Sequence, residues 1–258
     1  MRPRASPAVL ADALRRTEPV HDDDFDELLS DAARVRSLSY WSKVESAQRA
    51  AQLLDEAGAR RVLDVGAGCG KFCIVASLAL GRRVWGVERR AVLVDEARQL
   101  ARTLGADVEL MTGTLETVDP SRFDGFYFFN PFGEYVADDV DRFDDAFPRS
   151  FDGYVRDARL VERWLRAAPL GTAVVTNHGL GGRIPAAYEL RHAERCGRRM
   201  LRLWVKHRED DGGEAWFEVE DEVVDARELA ALANSPEAEP LVAALCAPPP
   251  VRDTDVLP

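Results

Sequence analysis

The chain has 258 residues, 46% hydrophobic and 31% charged, a length and composition that let one core be buried without disulfide staples. Its formal net charge of −11 opposes sequence-independent binding to nucleic acid, because that binding depends on neutralising phosphates. No apolar run approaches the roughly 20 residues of a membrane span. The first residues lack an apolar signal segment, and Cys69, Cys73, Cys196 and Cys246 form no C-x-x-C pair, so a cytoplasmic protein without zinc site, disulfide framework or membrane partner is expected.

Residues 1–38 read as an N-terminal helical leader: "DFDELLSDAARVRSL" follows the acidic run "HDDDFDE", which is expected to be a solvated face. At Ser42, "SKVE" has the form of a capping box, with the Ser42 hydroxyl taking a backbone donor and Glu45 reaching back. Val44, Ala47, Ala51 and Leu54 then form one apolar stripe, and Gly58 ends the helix. A buried strand over 60–65 runs into glycines. Beyond it the pattern alternates helix and strand: "GKFCIVASLAL", "RRVWGVE", "AVLVDEARQLARTLG" closed by Gly105, "ADVELMTG" and "FDGFYFFN". A long polar and aromatic connection over 134–154 precedes the helix "VRDARLVERWLRAA" and the strand "GTAVVTN", and is either a substrate lid or a disordered loop. "AYELRHAERC" and "RMLRLWVKH" make a terminal strand pair turning near Gly197, and strand signals weaken past Asp210. The divisions are therefore 1–38, a main domain over 39–210, and a partly mobile extension over 211–258, with the main domain an α/β, doubly wound, seven-stranded, mostly parallel sheet.

The stretch "VLDVGAGCGKF", Val62 to Phe72, carries the chemistry. A dinucleotide fingerprint wants G-x-G-x-x-G, yet Gly66, Gly68 and Gly70 are spaced by two, and Lys71 stands where the third glycine would be. Asp64 suits a ligand with a free ammonium group, and the glycines let backbone approach that ligand. Glu88, at the end of the next strand, stands where a carboxylate accepts both hydroxyls of a ribose.

On "DVGAGCG" and Glu88 the chain resembles the class I S-adenosylmethionine-dependent methyltransferases, over roughly Ser42 to Arg208. The resemblance implies S-adenosyl-L-methionine as cofactor, with Gly66, Ala67, Gly68 and Gly70 around its amino-acid part. It further implies Glu88 at the ribose, Arg89 among the cofactor-binding residues, and Thr114 and Leu115 of "TGTLE" at the adenine. Tyr40 is expected to close over the cofactor from the N-terminal side. Asn130, Pro131 and Phe132 fall one proline short of the Asn-Pro-Pro-aromatic motif of the amine methyltransferases; they are similar to the non-SET histone-lysine methyltransferase family and its bacterial relatives.

Strand ends in a doubly wound sheet face the ligand crevice, so Asn130 is expected beside the reacting methyl, and the likeness to the amine methyltransferases' motif implies Phe132 against the substrate. His178, in "TNHGLGG", and Glu134 are the candidates for proton handling. Methyl transfer from a sulfonium needs alignment and exclusion of water rather than a metal. The expected function is methyl transfer to a small-molecule or protein acceptor, an amine slightly before a hydroxyl. An NAD(P)-dependent oxidoreductase and a non-catalytic S-adenosylmethionine-binding module stay open, and the oligomeric state is not indicated.

Overall fold

In the computed structural model, which describes residues 5–135, 143, 144, 146, 147, 150–213, 215–219 and 222–224, the apolar runs become a parallel sheet. Its strands are β1 (Val62–Val65), β2 (Val84–Glu88), β3 (Val108–Thr112), β4 (Gly125–Phe129) and β5 (Ala173–Asn177). The hairpin of β7 (Tyr188–Cys196) and β8 (Arg199–Lys206) adds antiparallel to β5, giving the order β3-β2-β1-β4-β5-β8-β7. The helices are α1 (Pro7–Arg15), α2 (Asp22–Asp26), α3 (Asp31–Tyr40), α4 (Val44–Glu56), α5 (Lys71–Leu80), α6 (Ala91–Leu104) and α7 (Phe151–Ala167).

Successive strand residues point to opposite faces, so a continuous apolar run can serve two cores. Val62 and Tyr127 pack with α4 and α5, whereas Leu63, Val65, Phe126 and Phe128 pack with Val161, Trp164 and Leu165 of α7. The chain leaves β1 for β2 on one side and later enters β4 on the other. A crevice therefore opens where β1 and β4 end, and it receives the glycine loop and Asn130.

Three local expectations are corrected. The Ser42 capping box does not form: Lys43 is the N-cap residue without a side-chain bond, and Asp22 Oδ1 accepts from the Val44 N–H at 2.9 Å. The Ser42 hydroxyl instead hydrogen-bonds the Tyr127 hydroxyl in the core, where a buried phenol needs a partner. The acidic run is not simply a solvated face. Asp23 is exposed, but Asp22 and Asp26 turn onto Lys71 Nζ, each at 2.8 Å, and Lys71 is only 2% exposed. The helix before β5 starts at Phe151, earlier than the apolar pattern, because Ser150 Oγ accepts from the Gly153 N–H at 3.0 Å.

A second sheet, in the order β10-β9-β6, has no counterpart in the sequence reading. It joins β6 (Gly182–Pro185), β9 (Ala215–Val219) and β10 (Glu222–Val224). The glycines and proline around β6 read as loop, and β9 lies where strand signals fade. Residues 225–258, with Cys246, and most of the 136–149 stretch lie outside the described residues. No described helix is long and apolar enough to cross a membrane.

Candidate active site

The loop after β1 is tied to β2 by two bonds to one carbonyl: the N–H groups of Gly66 and Ala67 donate to Val87 O at 3.0 and 2.9 Å. Gly68 and Gly70 both have left-handed backbone, at φ 54° and 74°, but they serve different neighbours. A Cβ on Gly68 would overlap the Trp41 indole. One on Gly70 would come within 2.8 Å of Ala97 Cβ, so Gly70 lets α6 close on the loop. Asp64 lies beneath, and Cys73 Sγ donates to its Oδ2 at 3.4 Å. Burial pushes the Asp64 carboxyl up to about 7.

Glu88 stands at the edge of this loop, 8% exposed. Its Oε2 accepts from the Gly68 N–H at 3.1 Å and its Oε1 from the Arg90 N–H at 2.8 Å, which leaves further acceptor capacity on each oxygen. Burial raises its pKa above the ordinary value, against the pull of those two N–H groups and of Arg90. Glu88 borders two adjoining hollows of about 400 and 90 Å³.

Tyr40, Gly68, Glu88, Asn130 and His178 come together around the larger hollow. Gly66, Arg89, Thr114, Leu115 and Phe132 border the smaller one with Glu88. Asp64, Ala67 and Gly70 line neither. Phe132 is buried and packs edge-to-face on Tyr154, ring centres 5.9 Å apart, so it faces the smaller hollow rather than Asn130's cleft.

Asn130 and His178 share a backbone feature: φ is 37° and 62°, left-handed values that side-chain-bearing residues adopt at a cost and that cluster at functional edges. Long-range bonds hold both in place. Asn130 N–H donates to Gly179 O at 3.1 Å, and His178 N–H to Met200 O at 3.0 Å. Behind them the Tyr127 hydroxyl, its pKa raised by burial, also accepts from Asn177 Nδ2 at 3.1 Å.

Glu134 is not placed to carry protons. Burial alone would raise its pKa, but Arg90 at 2.6 Å and Arg89 at 2.7 Å hold it below the usual range as a fixed anion. Arg90 also pairs with Asp144 at 3.0 Å, and Phe143 meets Tyr40 and Trp41 with ring centres 5.9 and 6.2 Å apart. Trp41, Arg90, Phe143 and Arg199 line the larger hollow and escaped the sequence reading. Adjacency to Tyr40 and Glu88 marks the first two; no spacing marks the others.

The donor set suits S-adenosylmethionine: an acid with spare lone pairs faces the loop, and the guanidinium groups of Arg89 and Arg90 beside it are held by carboxylates. By sheet order and site the protein has the class I methyltransferase fold. Residues 62–149 match the family described as a methyltransferase domain.

A protein-L-isoaspartate O-methyltransferase of Methylorubrum populi is 43% identical over 53 residues, 20% of this chain and 24% of that protein, so the chain spans about a quarter of that relative's length. A proposed O-methyltransferase from Klebsiella pneumoniae has a TM-score of 0.51 at 15% identity, covering 78% of this chain and 97% of that one; this likeness shows the fold. An RNA methyltransferase from Salinibacter ruber in complex with S-adenosyl-L-homocysteine has a TM-score of 0.45 at 19% identity, covering 64% and 94%. Residues 62–149, which carry the glycine loop together with Glu88 and Asn130, are thus similar to a methyltransferase domain.

Proposed function

We propose that the protein is an S-adenosylmethionine-dependent methyltransferase and that the methyl group goes to an amine nitrogen of a small-molecule or protein acceptor, presented by Asn130. The carrying observation is the placement of Asn130, left-handed at the end of β4, on the same cleft as Gly68 and Glu88. In this reading Glu88 accepts from the ribose hydroxyls, while Gly66, Ala67, Gly68 and Gly70 shape the loop for the amino-acid part. Asp64 supports that loop from beneath. Arg89, Thr114 and Leu115 flank the adenine, and Tyr40 with Trp41 covers the cleft.

When bound, S-adenosylmethionine supplies a methyl group on a cationic sulfur, which keeps the bond pair as the acceptor's lone pair forms the new bond. The Asn130 amide oxygen accepts an N–H of the acceptor and so aims the nitrogen lone pair, work of alignment rather than activation. His178 takes up the proton that the methylated nitrogen sheds. Phe132 packs under this edge from the side of the smaller hollow. The net charge of −11 disfavours nucleic acid as acceptor, and the free thiols of Cys69, Cys73 and Cys196 suit a reducing cytoplasm.

Parallel calorimetric titrations with S-adenosylmethionine, S-adenosylhomocysteine and NAD, followed by a labelled-methyl screen of amines and matched alcohols, test this reading. Label should appear on amines, and Asn130→Ala should lower transfer while leaving S-adenosylhomocysteine affinity unchanged. Equal loss of affinity and transfer would make Asn130 a structural residue. Label on alcohols alone would overturn the amine assignment.

A further inference from the structure

The turn between β7 and β8 brings Arg198 and Arg199 beside Lys43, at the N-terminal end of α4, around a pit of about 480 Å³. Resting on the methyltransferase reading, we propose that this pit anchors the acceptor, and that the acceptor is a small molecule carrying an oxyanion group, a carboxylate or phosphate.

Among the described residues three cations line the pit and no carboxylate does, in a chain whose net charge is −11. Glu45 and Glu194 line a neighbouring hollow that shares only Cys196 with the pit, and Glu194 is taken by Arg49 at 2.6 Å. Neither Lys43 nor Arg198 forms an ion pair among the described residues, and both are exposed. The positive end of the α4 dipole adds to the same potential.

A second feature borders the pit independently of charge. Asn177 is 1% exposed and lines it; its Nδ2 donates to Tyr127 Oη, while its Oδ1 has no partner among the described residues. A buried acceptor atom left unpaired costs stability unless something donates to it, and a ligand hydroxyl or amine is the fitting donor. The pit also opens on the methyl-transfer edge. His178 and Arg199 line both hollows, and the Arg199 guanidinium lies 4.5 Å from the centre of the Phe129 ring, next to Asn130. An acceptor anchored in the pit thus extends toward Asn130. A confined pit in an acidic protein suits a small anion better than a nucleic-acid backbone, which needs an extended basic track.

The test uses the full chain, with and without saturating S-adenosylhomocysteine, titrated with 3-aminobenzoate, 3-aminobenzamide and phenyl phosphate. The acid should bind roughly tenfold or more tightly than its neutral amide, the size of one charge-assisted hydrogen bond. Lys43→Gln with Arg198→Gln should bring the acid down to the amide while leaving S-adenosylhomocysteine affinity and the thermal midpoint unchanged. Phenyl phosphate tells the two oxyanions apart, since the tighter anion names the group. Equal affinity for acid and amide with no binding of phenyl phosphate, or a preference that survives the double substitution, would overturn the proposal. So would a single-stranded RNA oligonucleotide that binds more tightly than either anion and is lost in the same variant. Failure to bind S-adenosylhomocysteine would sink the methyltransferase reading separately, because the acid–amide comparison without cofactor still decides the pit.

Discussion

From Val62 to Arg90 the chain runs without interruption through β1, α5 and β2, and the floor of the cleft, Gly68 and Glu88, comes from that one stretch. The walls draw Trp41, Asn130, His178 and Arg199 from four separate segments. The floor is shaped by backbone: left-handed glycines and N–H groups aimed at Val87 O and at the Glu88 carboxylate. The walls depend on side chains that meet across the fold, Lys71 with Asp22 and Asp26, and Arg90 with Glu134. A short spacing rule can encode the first arrangement but not the second. The two should therefore fail separately when broken.

The largest effect is expected at Lys71, which joins floor to wall. Lys71→Met leaves two carboxylates facing an apolar side chain, and removing one partner of a buried pair costs about 3–5 kcal/mol. Urea denaturation measures the loss, and adding Asp22→Asn and Asp26→Asn should recover most of it. A loss near zero would mean that α2 and α3 are held by their apolar contacts alone.

Glu88→Ala attacks the floor instead. Two hydrogen bonds to a carboxylate are worth about 3 kcal/mol together, so S-adenosylhomocysteine affinity should fall roughly a hundredfold by calorimetry. Folded structure by circular dichroism should persist. Unchanged affinity would remove Glu88 from the ribose.

Asp64 tests what lies under the floor. Its folded pKa is raised to about 7 from 3.8, so the native carboxyl keeps a proton that the unfolded chain has already released. The stabilisation from that proton is complete below the unfolded value and is lost as pH rises through about 7. Stability should fall by about 1.4 kcal/mol per pH unit across that window. Asp64→Asn removes this contribution, and the difference between wild type and variant in urea midpoints from pH 4 to 8 isolates it from Glu88 and Glu218, which shift the same way. A parallel pair of curves would show that Asp64 is ionised in the folded protein.

The same division explains what could be read from the sequence. The strands and helices of the parallel sheet follow from apolar period and glycine stops, as at Gly105, and the position of Glu88 follows from the strand that ends there. Phe143 and Arg199 carry no local signal, because their place depends on where the segment after β4 and the β7–β8 hairpin come to rest. Ser42 departs from its local pattern for the opposite reason. Its local pattern is a good cap, but the buried Tyr127 hydroxyl outbids it, and the cap is supplied from Asp22.

That exchange gives the smallest and most discriminating prediction. Ser42→Ala removes one hydrogen bond to Tyr127, yet Asn177 Nδ2 still donates to the phenol at 3.1 Å, so the loss should be about 1 kcal/mol. Tyr127→Phe should cost more, because it also deletes the bond from Asn177 Nδ2, and the double variant less than the sum, since both substitutions delete the Ser42–Tyr127 bond. Hydrogen exchange at Val44 should stay slow in Ser42→Ala, because its N–H is held by Asp22 Oδ1, and should speed up in Asp22→Asn. The opposite pattern, fast exchange at Val44 in Ser42→Ala alone, would return the helix cap to Ser42. The wall would then be as locally encoded as the floor.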